Sequence, residues 1–79
     1  MNILKIIKST GDNVNLTLYD DKLNLLESQS FEDIYTLNFY LQTLPRKYNI
    51  KKGLLIVHNK NENSVDMIMA EDENSFFIA

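Results

Sequence analysis

Residues 53–58, Gly-Leu-Leu-Ile-Val-His, decide the fold. Four apolar residues follow the glycine without a break, so both alternating faces of a strand here would be apolar. This pattern is typical of a strand that is covered on both sides, at the centre of a sheet. Residues 3–8, Ile-Leu-Lys-Ile-Ile-Lys, share the pattern, because branched apolar groups occupy both odd and even positions. We therefore predict a strand covered on both faces at each stretch, and the order of elements along the chain makes the two strands central neighbours in one sheet.

Three further strands are predicted around this central pair. Residues 14–19 alternate between apolar and polar side chains, which is typical of a half-buried antiparallel strand. Residues 23–29 indicate a weaker edge strand. Residues 64–70 indicate a strand that returns from the central one through a hairpin loop at 59–63. Residues 75–79 contain two phenylalanines and are predicted to form either a last short strand or a docked tail.

A single helix is predicted between the third and fourth strands. Ser30 is expected to begin it, because Asp33 follows three residues later in a serine-x-x-acid capping pattern. Apolar residues at helical spacing then form one stripe that would pack on the sheet. Pro45 disfavours helical geometry at Leu44, so the regular helix should end near that residue.

The predicted order of elements, β-β-β-α-β-β, restricts the topology. Short turns make the first three strands an antiparallel meander, and a right-handed crossover places the fourth strand parallel to the first and beside it. The fold class is therefore α+β, with a mixed five-stranded sheet in the order 3-2-1-4-5 and one helix packed on one face. The 79 residues form one small domain, residues 1–79, because the chain is too short for a second.

The order of elements over residues 3–58 resembles the opening half of the ribonuclease H-like and actin-like folds. The chemistry of those families depends on an acidic residue on the first strand. Residues 3–8 contain no carboxylate. The resemblance therefore implies a scaffold without that active site.

One face of the predicted sheet is left without a helix. An exposed apolar patch of about several hundred Å² on a small protein commonly marks an interface. We therefore expect the apolar side chains of this face to be covered. We predict that a second subunit, a partner protein or the C-terminal Phe76, Phe77 and Ile78 covers this face. The residues assigned to it, as candidates for self-association, are Ile3, Ile7, Leu55 and Val57.

The chain lacks the usual groupings of catalytic residues. It has no cysteine, one histidine and two glycines, which leaves no thiolate, no Gly-x-Ser-x-Gly elbow and no glycine-rich phosphate loop. His58 with Glu62 and Asp66 could in principle bind a divalent metal ion, and a surface histidine at a strand end is the simpler interpretation. We expect no enzyme activity, no metal and no cofactor.

Charge is distributed unevenly along the chain. The formal net charge is −3, yet four of the eight basic residues lie within residues 46–52. Acidic residues flank this basic segment in sequence, so direct nucleic-acid binding, which depends on phosphate neutralisation, is not expected. The residues considered as candidates for binding a partner are Asp20, Asp21, Glu71, Asp72, Glu73, Arg46, Lys47, Lys51 and Lys52.

These features favour a small, acidic, non-enzymatic binding protein of the cytoplasm. The profile is shared by anti-defence proteins of phages and mobile elements, by antitoxins and by immunity proteins. Such a protein would inhibit or regulate another protein, such as an enzyme that acts on nucleic acids, by protein–protein contact. The alternative is a structural or adaptor subunit that forms a homodimer or larger homo-oligomer through the uncovered sheet face. No stretch has the roughly 20 apolar residues that span a bilayer, so no membrane association is expected.

Overall fold

Five strands and two helices make up the residues that the computed structural model describes, 2–8 and 13–78. They are β1 (Asn2–Lys8), β2 (Val14–Tyr19), β3 (Leu25–Phe31), α1 (Ile34–Leu41), α2 (Leu44–Tyr48), β4 (Gly53–Asn59) and β5 (Ser64–Ala70). Ala79, the last residue of the predicted strand or tail at 75–79, lies outside the described residues.

The strands form one sheet in the order β3-β2-β1-β4-β5. β1 and β4 are parallel, and the other three neighbouring pairs are antiparallel. The predicted α+β class and strand order are therefore confirmed. The two strands with apolar side chains on both faces are the central parallel pair, which is the arrangement in which both faces gain most from burial.

The helical segment begins later than predicted and is divided in two. Ser30 still belongs to β3, and Asp33 is the N-cap of α1, where its Oδ1 accepts a hydrogen bond from the backbone N–H of Thr36 at 2.8 Å. Pro45 lies in the first turn of α2, where a missing N–H is tolerated, so the proline begins a second helix. Asn49 ends α2 in the left-handed conformation, with φ of 54°. Neither helix of the described chain has the length and apolarity needed to cross a membrane.

The buried core lies between the helices and one face of the sheet. Its members are Leu4, Ile6, Val14, Leu16, Leu18, Leu37, Leu41, Leu44, Ile50, Leu55, Val57, Ala70, Phe76 and Ile78. Leu55 and Val57 are 0% and 4% exposed, so their assignment to the uncovered face is wrong. All four residues after Gly53 are apolar, so the sequence pattern could not show which alternate pair faces the helices.

The C-terminal residues form a docked tail on the helix side. Residues 75–78 contain no strand, and Phe76 and Ile78 are buried in the core. The side-chain amide of Asn38 on α1 holds Ile78 through two hydrogen bonds of 2.8 Å, one to its C=O and one from its N–H. This docking removes the tail from the three candidates for covering the other face of the sheet.

Candidate interaction surface

The sheet face opposite the helices, called here the open face, carries side chains that do not belong to the buried core. Strand register arranges them in three rows across the five strands. The first row, called the apolar row, contains Leu25, Tyr19, Ile3, Leu54 and Met69. At about 4.8 Å per strand, this row extends for roughly 19 Å.

The other two rows are polar towards β3 and more apolar towards β5. The middle row contains Ser28, Thr17, Lys5, Ile56 and Met67, and the last row contains Ser30, Asn15, Ile7, His58 and Val65. Ile3 and Ile7 thus lie on the open face where they were placed. The β4 side chains on this face are Leu54 and Ile56, in place of the predicted Leu55 and Val57.

Charged side chains gather at the end of the sheet next to the apolar row. β2 and β5 end here, while β1 and β4 begin here, so residues 20–24, 49–52 and 71–74 lie at the same end. The charged end, as we call it, comprises Asp20, Asp21, Lys22, Lys51, Lys52, Glu71, Asp72 and Glu73. Most of the predicted partner-binding residues, which are scattered in sequence, are therefore brought to one side of the molecule.

The basic and acidic segments of this end are neighbours in space. Lys51 and Lys52 line a shallow depression together with residues 71–73. Arg46 lines an adjoining depression with Glu73. The basic segment therefore lies beside the acidic turn instead of forming a separate cationic patch, and this proximity lowers the net positive potential that a polyanion would meet.

Two carboxylates of the charged end accept hydrogen bonds from backbone N–H groups of the turns in which they lie. The Oδ1 of Asp20 accepts hydrogen bonds from the backbone N–H groups of Lys22 and Asn24, at 2.9 and 2.8 Å. The Asn24 N–H is the main reason that the pKa of Asp20 lies below its ordinary value. Asp72 accepts from the Asn74 N–H at 2.8 Å. These bonds fix the positions of two negative charges on the surface.

Lys47 is directed away from this arrangement, into a polar cluster on the helix side of β3. Its Nζ lies 3.2 Å from Glu27 Oε2 and 3.2 Å from the Tyr40 hydroxyl oxygen. Tyr40 and Tyr48 each donate a hydroxyl hydrogen bond to the Glu27 carboxylate. We call these four residues the Glu27 cluster. The sequence pattern offered no sign of it, because the contacts join residues separated by up to 21 positions.

The Glu27 cluster is arranged to join β3 to both helices and is poorly suited to proton transfer. Burial raises the pKa of Glu27, but hydrogen bonds from Tyr40, Tyr48 and Lys47 outweigh it and bring the pKa below its ordinary value. Bonds to Tyr40 and Glu27 raise the pKa of Lys47, and the bond to Glu27 raises the pKa of Tyr48. All three shifts lead away from neutrality, whereas a general acid or base works best with a pKa near the operating pH.

The metal-ligand combination at His58 does not converge. His58 lies on the open face opposite Val65, and Asp66 lies on the other face of β5, opposite Val57. Within residues 2–8 and 13–78, no group of three His, Cys, Asp or Glu side chains could hold a metal ion.

No protein family model, curated protein or solved structure matches the chain. The assignment of function therefore depends on the open face and the charged end.

Proposed function

We propose that the protein is a non-enzymatic binding protein that inhibits or regulates another protein by placing the open face against it. The observation that carries this proposal is the apolar row, which crosses all five strands directly beside the charged end. An apolar centre with a charged rim is the usual composition of a protein–protein interface. Exposed Leu25 and Met69 lie at the two ends of the row.

The charged end favours a partner with a basic surface. Five of its eight residues are carboxylates, and those of residues 71–73 are exposed. Complementary charge accelerates association and selects among partners. Enzymes that act on nucleic acids carry such basic grooves, since they bind phosphates. An inhibitor or regulator of such an enzyme, of the anti-defence, antitoxin or immunity type, is the class of function that fits this chemistry.

The proposal is tested by co-purification from the source cell or its host, with variants on opposite sides of the molecule. Leu25→Asp alters the apolar row at an exposed position, and Phe39→Asp makes the same change at an exposed position on α1. We expect the partner to be lost with Leu25→Asp and retained with Phe39→Asp. Equal capture by both variants would contradict the use of the open face.

A second pair of variants tests the contribution of the charged end. The double change Glu71→Lys and Glu73→Lys reverses charge there, whereas Glu62→Lys reverses one exposed charge in the hairpin at the other end of the sheet. We expect weaker capture of the partner with the double variant and unchanged capture with Glu62→Lys. The difference between the double variant and the wild type should be larger at low salt, because salt screens exposed charges. A partner captured equally by all would contradict the acidic-inhibitor proposal.

Self-association through the open face is the second candidate function, because a second copy could also cover the apolar row. It requires the row but not the acidic residues. A stable homo-oligomer that is disrupted by Leu25→Asp, together with the absence of any captured partner, would favour it.

A further inference from the structure

The outer edge of β5 is a regular strand edge. β5 is last in the sheet order, and no strand of the described residues pairs with its outer side. It pairs with β4 over all seven residues without a register shift, and it contains no proline. The opposite edge, β3, is irregular, because its register with β2 shifts next to Leu26. Bulges, prolines and charges normally protect edges from pairing, so β5 is the less protected of the two.

One hydrogen bond shows which backbone groups of β4 face β5. The Lys60 N–H donates to the Lys8 C=O at 2.9 Å, and Lys8 pairs with Asn59 in the parallel ladder. The backbone groups of Lys60 therefore point towards β1. Because successive residues of a strand direct these groups to alternate sides, those of Asn59 and Val57 point towards β5.

The same alternation identifies the groups on the outer edge of β5. Asp66 and Ser64 are the register partners of Val57 and Asn59, so their backbone groups point inwards, to β4. It follows that Val65, Met67 and Met69 direct three N–H and three C=O groups outwards. Their side chains lie on the open face and are 58%, 72% and 40% exposed.

These three residues are placed symmetrically about Met67. If a second copy approaches antiparallel with the two-fold axis at Met67, then Met67 lies opposite its own counterpart. Val65 then lies opposite Met69 of the other copy. All six outward groups find hydrogen-bond partners, and each side-chain pair on the open face is apolar. Asp66, the only charged residue of β5, lies opposite Ile68 of the other copy instead of a second carboxylate.

We propose that β5 pairs with β5 of a second copy of this chain, in the antiparallel register centred on Met67. The dimer contains one continuous ten-stranded sheet, and both open faces lie on the same side of it. Centring the pair on Asp66 instead would place two carboxylates directly opposite each other, which is unfavourable. This pairing uses a strand edge and does not depend on the proposed function, which uses a sheet face.

Opposite charges at position 67 test the pairing. In sedimentation equilibrium, Met67→Lys and Met67→Glu should each weaken the dimer by about fivefold or more, since like charges would face each other. An equal mixture of the two variants should recover the dimer, which also shows that both are folded. The matched controls are Ser28→Lys and Ser28→Glu, in the same row but on the opposite edge of the sheet, and these should leave the dimer unchanged.

Single cysteines test the register, because the chain has none of its own. Met67→Cys should form a disulfide-linked dimer on mild oxidation, since facing Cα atoms in an antiparallel pair lie about 5.5 Å apart, within disulfide range. Asp66→Cys, which is also exposed, should link far less. A wild-type chain that remains monomeric up to about 1 mM would overturn the proposal. A dimer indifferent to charge at position 67, or equal linking by both cysteines, would do so as well.

Discussion

The ring of Phe76 lies against the backbone of Gly53, so that a Cβ on Gly53 would come within 2.8 Å of Phe76 Cε1 and 3.0 Å of its Cζ. The ring is fully buried. The contact holds the tail over β4 on the helix side, and it explains why the position that begins β4 has no side chain.

We expect Gly53→Ala to destabilise the fold by about 1–3 kcal/mol, because the added methyl group overpacks a closed site. Adding Phe76→Leu to Gly53→Ala should recover part of that loss, since leucine leaves space where the ring atoms Cε1 and Cζ lie. Urea unfolding of the two single variants and the double variant measures this coupling. A Gly53→Ala variant as stable as the wild type would show that the contact is less restrictive than its geometry indicates.

Two adjacent phenylalanines of the tail should differ sharply in their contribution to stability. Phe76 is 0% exposed and Phe77 is 49% exposed. Phe76→Ala should therefore cost about 3–5 kcal/mol, while Phe77→Ala should change the free energy of unfolding by no more than about 0.5 kcal/mol. The same unfolding experiment on both variants checks this. Equal losses would mean that the tail is not docked through Phe76.

The order of strands could be predicted from the sequence because short turns and a right-handed crossover restrict the connections, and burial on both faces of the central pair leaves a local signal that agrees. Residues 3–8 and 53–58 carry apolar side chains on both alternating faces, which is typical only of strands that are covered on both sides. The sequence did not show which face of β4 packs against the helices, since Leu54 and Leu55 are chemically equivalent. The N-cap was misplaced because Ser30 and Asp33 are both good capping residues, and pairing of β3 with β2 decides between them.

The candidate site was predictable only in part. Charges in separate turns converge because strand ends meet at one end of a sheet, which follows from topology. The Glu27 cluster joins side chains from three elements. These residues lie far apart in the sequence, so no local pattern indicates that they are in contact. Docking of Phe76 on the helix side depends on the absence of a side chain at Gly53. In the sequence, this glycine indicates only the start of a strand.

Stability should fall at acid pH partly through Glu27. Its folded pKa lies below its ordinary value of 4.5, so its contribution is fully present above that value and is lost as the pH falls through the folded pKa. Glu27→Gln should reduce stability at neutral pH by about 1–3 kcal/mol, because the charged hydrogen bonds are lost. The difference between wild type and variant should then shrink below pH 4.5. Urea midpoints measured against pH test this, and a constant difference would contradict it.

The N-cap assignment separates two residues that the capping pattern treats alike. Asp33→Ala should lower the thermal midpoint and speed hydrogen exchange at the Thr36 amide, because that N–H loses its acceptor. Ser30→Ala should leave exchange at Thr36 unchanged, since the Ser30 hydroxyl donates to Asn15 across the sheet. Faster exchange of the Thr36 amide in the Ser30 variant alone would show that Ser30 is the N-cap.

The most direct test of the open face as the binding surface is methyl NMR of the labelled protein with its captured partner. We expect the methyl signals of Ile3, Leu54 and Met69 to shift on binding, because they lie in the apolar row. The signal of Thr36, exposed on α1, should stay in place. Shifts confined to Thr36 and its neighbours, with the apolar row unchanged, would contradict the proposal that the open face binds the partner.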